Sequence, residues 1–259
     1  MERPSTPDVK SKCAVIILAA GLGTRMKSDK AKVLHELMGR PMVLYVVETA
    51  KKAVGDNVIL VVGHQAQKVK EIVSQKENVS YALQEAQLGT GHAALVALPF
   101  LPEETQEVII LCGDVPLLRP ETVCRLLSDH SRSCRDLTLL AVEVENPTGY
   151  GRILFDNNRN LLKIVEEADA TAEQKKIKTI NSGIYCVKKL FLCDALKKIN
   201  TNNAQGELYL TDIIEIGYRE RKAVGVMVSS NAEETIGVNS REDLLLAEKV
   251  LRRRSLKLS

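Results

Sequence analysis

Short apolar runs alternate with helical patterns along the first half of the chain, and this alternation constrains the fold more than any other feature. The runs are rich in β-branched residues and apolar on both faces, as is typical of strands buried in a largely parallel sheet. Four of them are AVIIL (14–18), VILVV (58–62), VIILC (108–112) and LTLLAV (137–142). We therefore predict an α/β fold with a Rossmann-like, doubly wound, mixed but mostly parallel sheet.

The same patterns divide the chain into one main domain with two short ends. Residues 1–12 are polar and contain two prolines, which predicts a flexible tail. The α/β domain is expected over 13–240, with less regular strands and turns after about residue 145. Residues 241–259 read as an amphipathic terminal helix and tail. A chain of 259 residues suits one such domain.

Composition excludes several classes of function. The net charge is only +3, aromatic residues make up 3% and there is no Trp, so a nucleic-acid partner is not expected. No apolar segment has the length of a membrane span or the form of a signal peptide, so we expect a cytoplasmic protein without a membrane partner. The six cysteines form no Cys-x-x-Cys pair and no Cys/His cluster has ligand spacing, so we expect reduced, mostly buried thiols and no zinc.

The glycine-rich stretch LAAGLGTRM (18–26) directly follows the first predicted strand. A P-loop would need Lys and then Ser or Thr after Gly23, where Thr24 and Arg25 stand, and a dinucleotide fingerprint would need a third glycine where Met26 stands. A plain strand-to-helix turn would also explain the glycines. The loop can nevertheless hold an anion, because glycine N–H groups approach phosphate closely and Arg25 adds a cationic fork. Lys32 brings a second cation, or is a solvated surface charge.

Further motifs show what this loop belongs to. They are LQEAQLGTGHA (83–93), CGDVPLL (112–118), NPTGYGRI (146–153), INSGIY (180–185) and GVNSRED (237–243). In this order the motifs resemble the sugar-nucleotide pyrophosphorylases, and among them the uridyltransferase domains of the bifunctional N-acetylglucosamine-1-phosphate uridyltransferases. The resemblance covers residues 13–250. It implies the nucleotide-diphospho-sugar transferase fold and Mg²⁺-dependent conversion of UTP and N-acetylglucosamine 1-phosphate into UDP-N-acetylglucosamine and pyrophosphate, for peptidoglycan synthesis.

The resemblance also implies roles for individual residues. Arg25 and Lys32 are the expected catalytic cations. Asp114 and Asn239 are the expected Mg²⁺ ligands, although Asp114 alone could form a turn and Asn239 alone could cap a helix. The nucleotide is assigned to Ala19, Ala20, Gly21, Gly23, Gln84, Gly89 and Thr90. The sugar is assigned to Gly151, Glu166 and Asn181.

The chain departs from the family pattern in three places. Ala31 stands where a proline is usual, which should loosen the loop that carries Lys32, and Cys112 stands where a tyrosine is common, which weakens the prediction of sugar choice. No hexapeptide repeat of a left-handed β-helix follows, so we expect no acetyltransferase activity from this polypeptide, whether it is a stand-alone or a truncated enzyme. Since the family often trimerises through that domain, a monomer or weak oligomer is expected.

Three alternatives stay open from the sequence. The first is a nucleotidyltransferase for another sugar 1-phosphate or another nucleotide. The second is a regulator that binds nucleotide sugars without catalysis, which the presence of all four catalytic and metal-binding residues disfavours. The third is a dehydrogenase, which Met26 in place of a third glycine disfavours.

Overall fold

Eleven strands and seven α-helices occupy residues 9–256, the part of the chain that the computed structural model describes. The strands are β1 (Cys13–Ala19), β2 (Glu36–Leu37), β3 (Arg40–Pro41), β4 (Val58–Val62), β5 (Ser80–Leu83), β6 (Glu107–Cys112), β7 (Leu137–Glu143), β8 (Arg152–Phe155), β9 (Leu161–Val165), β10 (Thr179–Lys188) and β11 (Val224–Ser229). The helices are α1 (Met42–Val54), α2 (Ala66–Ser74), α3 (Thr90–Ala97), α4 (Pro120–Arg132), α5 (Lys189–Leu196), α6 (Asp212–Arg219) and α7 (Arg241–Leu256).

Nine of these strands form one sheet in the order β11-β7-β10-β6-β1-β4-β5, with β8 and β9 attached beside β10. The pairs β1–β4, β1–β6, β4–β5 and β7–β11 are parallel, whereas β10 runs antiparallel to both β6 and β7. The predicted mixed, mostly parallel α/β sheet is therefore confirmed. Residues 9–256 contain no left-handed β-helix, and none of their helices is long and apolar enough to cross a membrane.

Helices cover both faces of the sheet, which is why its central strands are apolar on both sides. Val15 and Ile17 of β1 pack into one core layer with residues of α1 and α4. Ala14 and Ile16, which point the other way, pack into a second layer with residues of α3, α5 and α6. Burying each large aliphatic side chain stabilises the fold by about 1.5–3 kcal/mol.

The two ends of the chain differ. The predicted tail 1–12 falls outside the described residues at positions 1–8, and Val9–Lys12 form a 3₁₀ turn. At the other end, α7 buries Ala247 and Val250 in a small core with Leu117, Val238 and neighbouring side chains. Helix α7 is thereby held against the main domain, and the residues just before it are brought to the sheet's carboxyl edge.

Candidate active site

A cleft of about 450 Å³ opens at the carboxyl ends of β1, β5 and β6, where open α/β sheets bind their ligands. It is formed by the glycine-rich loop after β1, the segment between β5 and α3, and the residues after β6. All seven residues predicted to contact the nucleotide line this cleft: Ala19, Ala20, Gly21, Gly23, Gln84, Gly89 and Thr90. Lys32 and Asp114 line it as well.

Two predicted cations and two predicted metal ligands meet beside this cleft. The Lys32 ammonium pairs with the Asp114 carboxylate and donates to Asn239 Oδ1 at 3.0 Å. Arg25 donates to the same Asn239 oxygen at 2.7 Å. The Asp114 and Asn239 oxygens therefore converge on a point that favours positive charge. A carboxylate and an amide oxygen are donors that suit a hard divalent cation such as Mg²⁺.

Backbone geometry explains how Lys32 comes so close to the glycine-rich loop. Gly23 has φ +66°, and a Cβ atom at this position would lie 2.6 Å from Lys32 Cβ. Only glycine accommodates both the left-handed conformation and this approach. Met26, which stands where a dinucleotide fingerprint has its third glycine, is buried and serves the core.

A helix cap holds Asn239 in position without using its side-chain oxygen. The Asp243 carboxylate accepts from the backbone N–H groups of Asn239 and Ser240 at 2.9 and 2.8 Å, and the Asp243 N–H donates to Ser240 Oγ at 3.2 Å. This is a reciprocal cap at the start of α7. Asn239 Nδ2 donates to the Gly237 carbonyl at 3.1 Å, which turns Oδ1 toward Arg25 and Lys32. Asn239 thus lies just before the cap.

The opposite wall of the cleft presents a single acceptor from Gln84. This side chain is only 3% exposed, and its Nε2 donates to the Gly89 carbonyl at 3.1 Å and lies 3.1 Å from His92 Nδ1. Both amide hydrogens are therefore used within the protein. The side-chain carbonyl oxygen of Gln84 is left to accept a hydrogen bond from a ligand. His92 orients this amide, in line with a structural role for the histidine.

Gly89 is a further position where glycine is required. Its φ is +108°, and a Cβ atom there would lie 2.6 Å from the Leu208 carbonyl oxygen. We predict that Gly89→Ala lowers the free energy of unfolding in urea by about 1–3 kcal/mol. Gly206→Ala is the matched control, because its φ is +65° but nothing lies within 4 Å of the added Cβ. Equal losses in both variants would contradict this account of Gly89.

The three predicted sugar-contacting residues form a separate group just before β8, just after β9 and within β10, beyond the residues that line the cleft. The Asn181 N–H donates to the Gly151 carbonyl at 2.9 Å, and a Cβ atom on Gly151 would come within 3.2 Å of both Glu166 carboxylate oxygens. Asn181 Oδ1 accepts from the Gly183 N–H at 2.8 Å and from the Tyr185 hydroxyl at 3.1 Å. The structure thus brings Gly151, Glu166 and Asn181 together.

Comparison with known proteins agrees with this arrangement. Residues 15–178 match the family model of the MobA-like NTP transferase domain. The chain belongs to this nucleotidyltransferase family. Similar proteins are the bifunctional protein GlmU of Desulfotalea psychrophila, 44% identical over 93% of this chain and 71% of that protein, and that of Caldanaerobacter subterraneus subsp. tengcongensis, 50% identical over 92% of this chain and 51% of that protein. The GlmU protein of Clostridioides difficile is 46% identical over 92% of this chain and 51% of its own length.

The chain thus spans about half the length of most of these GlmU relatives. As a nucleotidyltransferase it acts on small-molecule substrates. The six cysteines are all free thiols, as predicted, but only Cys13 and Cys186 are fully buried; three are half-buried and Cys134 is exposed.

A hydrogen bond holds the loop at position 31, where the proline expected from the resemblance is absent. Ala31 stands where a proline is usual, and its N–H donates to Gln65 Oε1 at 3.1 Å. The other end of the Gln65 amide donates to the Asp29 carbonyl. A proline has no N–H and could not make the first of these bonds. The predicted loosening is therefore opposed by a hydrogen bond that ties the Lys32 loop to the start of α2.

The second departure lies between the nucleotide cleft and the sugar group. Cys112 lines the cleft, and its Sγ donates to the Gly183 carbonyl at 3.4 Å. A Cβ atom on Gly183 would lie 2.7 Å from this sulfur. Burial, followed by the nearby Asp114, raises the pKa of the Cys112 thiol to about 12. Cys112 is therefore a small neutral wall at the position where the resemblance led us to expect a tyrosine.

Two neighbouring acidic side chains of this region, Glu166 and Asp212, have raised pKa values. Only Glu166 was assigned a role from the sequence. Burial raises the pKa of the Glu166 carboxyl, against a hydrogen bond from Thr211 that lowers it. Burial also raises the pKa of Asp212 to about 6, and Glu215 and Asp169 act in the same direction. Asp212 lies in the stretch NNAQGELYLTDII (202–214), where no role was assigned to it, and its proximity to Glu166 is shown only by the folded structure.

The raised pKa of Asp212 makes stability depend on pH. The folded protein holds this proton more tightly than the unfolded chain, so the group's contribution is fully present below about pH 4 and is lost as pH rises through about 6. We predict that Asp212→Asn weakens the fall in the free energy of unfolding between pH 4 and about 6. Urea titrations at several pH values measure this, with exposed Asp194→Asn as the control. An unchanged pH dependence in Asp212→Asn would contradict the prediction.

Proposed function

We propose that this domain transfers a uridylyl group from UTP to N-acetylglucosamine 1-phosphate, which gives UDP-N-acetylglucosamine and pyrophosphate. The observation that carries the proposal is the cluster of Arg25, Lys32, Asp114 and Asn239 beside a cleft whose other wall presents the Gln84 carbonyl. A phosphate oxygen of the sugar phosphate attacks the α-phosphorus as the bond to the leaving pyrophosphate breaks. Such a reaction depends on positioning and charge neutralisation more than on covalent help from the protein.

The cluster described above would neutralise the negative charge on the phosphates during the reaction. The Arg25 guanidinium suits two-point contact with phosphate oxygens, and the Lys32 ammonium is a point charge that can follow charge onto the leaving group. Asp114 and Asn239 would hold Mg²⁺, which when bound supplies further positive charge at the phosphates. Lys32 would then exchange its contacts with Asp114 and Asn239 for contacts with phosphate oxygens.

Base selection is supported by the hydrogen bonds of Gln84. Because its amide hydrogens are bound to Gly89 and to His92, the side chain offers only its carbonyl to a base. Uracil presents an N3–H donor to such an acceptor, whereas cytosine presents an acceptor at the same ring position. A buried acceptor that meets another acceptor costs about 1–3 kcal/mol. The geometry therefore favours UTP over CTP.

Sugar selection is supported by the group of Gly151, Glu166 and Asn181. Glu166 can accept from sugar hydroxyls, and Asn181 can serve a hydroxyl or the acetamido group. Another sugar 1-phosphate is the second candidate, because Cys112 replaces the usual aromatic wall at the junction with this group.

Initial rates of pyrophosphate release with Mg²⁺ and N-acetylglucosamine 1-phosphate test the nucleotide side of the proposal. UTP is expected to react at least roughly tenfold faster than CTP, which corresponds to a difference of about 1.4 kcal/mol. ATP and GTP complete the panel. Comparable rates with CTP would overturn the assignment of Gln84. UTP binding without release of pyrophosphate from UTP in the presence of any sugar phosphate would favour the non-catalytic regulator.

A further inference from the structure

Three potential metal ligands meet at the amino-terminal end of β6, the opposite end of that strand from Asp114. Glu107 comes from β6, His130 from α4 and Cys186 from β10. A Glu107 carboxylate oxygen, a His130 ring nitrogen and the Cys186 sulfur all lie within 4.8 Å of one another. Since β6 rises by about 3.3 Å per residue, this cluster is remote from the nucleotide cleft.

Strand register explains why these residues converge. Glu107 pairs with Lys188, and Cys186 pairs with Ile109, so Glu107 and Cys186 are neighbours on the same face of the sheet. Helix α4 covers this face and places His130 over them. The ligands come from three distant segments of the chain, which is why their spacing in the sequence shows no zinc motif.

His130 is already oriented as a metal-binding histidine would be. Its Nδ1 lies 2.9 Å from Thr138 Oγ1, and its Nε2 lies 3.0 Å from Glu107 Oε2. In the metal-free protein Nε2–H donates to Glu107; with Nδ1–H donating to Thr138 instead, Nε2 would exchange that hydrogen bond for a bond to the metal. Protein histidines that bind metals are held in this way through their second nitrogen.

A neighbouring cavity gives the cluster an open side. It has a volume of about 240 Å³ and is lined by Glu107, His130, Ser131 and Cys134, among others. Ser131 Oγ is buried without a hydrogen-bond partner, so a metal-bound water in the cavity would satisfy it. A space of this size can hold water molecules.

The surrounding charges also admit a cation. Helix α4 ends at Arg132, and the partial negative charge of a helix carboxyl end favours positive charge. Three basic side chains line the cavity, Lys12, Arg135 and Lys188. Two of them already have counterions, because Lys188 pairs with Asp136 and Arg135 pairs with Asp129. A Glu107–His130 hydrogen bond alone accounts for two members of the cluster, but it accounts neither for the adjacent sulfur nor for the unpartnered Ser131 hydroxyl.

We propose that Glu107, His130 and Cys186 bind a zinc-class divalent cation, with water from the cavity as a fourth ligand. A carboxylate oxygen, an imidazole nitrogen and a thiolate sulfur form a donor set that suits Zn²⁺ in four-coordinate geometry. Binding forms a metal–sulfur bond and releases the Cys186 thiol proton to solvent. Bound metal would cross-link β6, α4 and β10 and so stabilise the sheet against unfolding.

Titration with Co²⁺ tests the site, because a bound thiolate gives a sulfur-to-cobalt charge-transfer absorption. The titration is made on Asp114→Ala protein, which lacks the oxygen-ligand site of the nucleotide cleft. One equivalent of Co²⁺ is expected to give the thiolate band and visible bands of four-coordinate cobalt, and one equivalent of Zn²⁺ should abolish both. Absence of a thiolate band would overturn the proposal.

Three variants then assign the ligands. Cys186→Ser should abolish the thiolate band, and His130→Gln should weaken Co²⁺ binding by more than the roughly 10–100-fold that loss of an outer-shell partner costs. Cys134→Ser is the matched control, since this exposed thiol lies on the same cavity, and it should keep the band. Circular dichroism verifies that each variant is folded. A band that survives in Cys186→Ser, or disappears in Cys134→Ser, would overturn the assignment.

Discussion

Replacement of Asp114 by alanine is expected to lower kcat by at least about 10²–10³-fold, the range seen when one group that stabilises transition-state charge is removed. Asp114 is placed to do two things. Its carboxylate pairs with the Lys32 ammonium, and it is one of the two oxygen donors proposed for Mg²⁺. The substitution removes the proposed metal ligand and leaves a partly buried lysine without this counterion.

Steady-state rates over a range of Mg²⁺ concentrations measure the effect. Asp129→Ala is the matched control, because Asp129 also forms an ion pair, with Arg135 at 2.6 Å, but lies on α4 away from the cleft. This variant should keep wild-type kcat. Near-wild-type turnover in Asp114→Ala at every Mg²⁺ concentration would remove Asp114 from the mechanism.

Replacement of Lys32 by methionine is expected to reduce kcat by about 10²–10³-fold, with a smaller change in KM for the nucleotide. The methionine keeps an unbranched side chain of similar length but lacks the charge that would neutralise the leaving pyrophosphate. In the free protein Lys32 also bridges Asp114 and Asn239. Its loss therefore takes away a phosphate contact and loosens the proposed metal ligands.

Lys30→Met is the control for this substitution. Lys30 lies two residues earlier in the same loop but pairs with Glu36 at 2.9 Å on the surface. The two variants thus remove the same charge from the same loop, with only Lys32 placed in the cleft. Equal kcat values in the two variants would show that the position of the Lys32 ammonium does not matter.

The order of strands and helices could be predicted where a strand is buried on both faces. The runs at 58–62 and 108–112 correspond to β4 and β6, because each residue inside them is apolar. Strand β5 was not predicted: it lies at the sheet edge and has two exposed residues, so it lacks a continuous apolar run. The antiparallel direction of β10 depends on how it is inserted between β6 and β7, which local pattern does not encode.

In the candidate site, too, features formed by residues adjacent in sequence could be predicted, whereas contacts between distant segments could not. The glycine-rich loop pointed to phosphate binding because its residues are adjacent in sequence. Lys32 and Asn239 are separated by 207 positions, and only the resemblance to the family joined them. The Gln65 bond that replaces the missing proline, and the convergence of Glu107, His130 and Cys186, depend on contacts between distant segments. Neither has a sequence spacing that could have indicated it.

The central claim is tested most directly by identifying the product that the wild-type domain makes from UTP. The purified protein is mixed with Mg²⁺, UTP and either N-acetylglucosamine 1-phosphate or glucose 1-phosphate, and the nucleotide sugar is measured by mass spectrometry alongside pyrophosphate. We predict UDP-N-acetylglucosamine as the preferred product, in a one-to-one ratio with pyrophosphate. Preferential formation of UDP-glucose, or no nucleotide sugar at all, would contradict the proposed function.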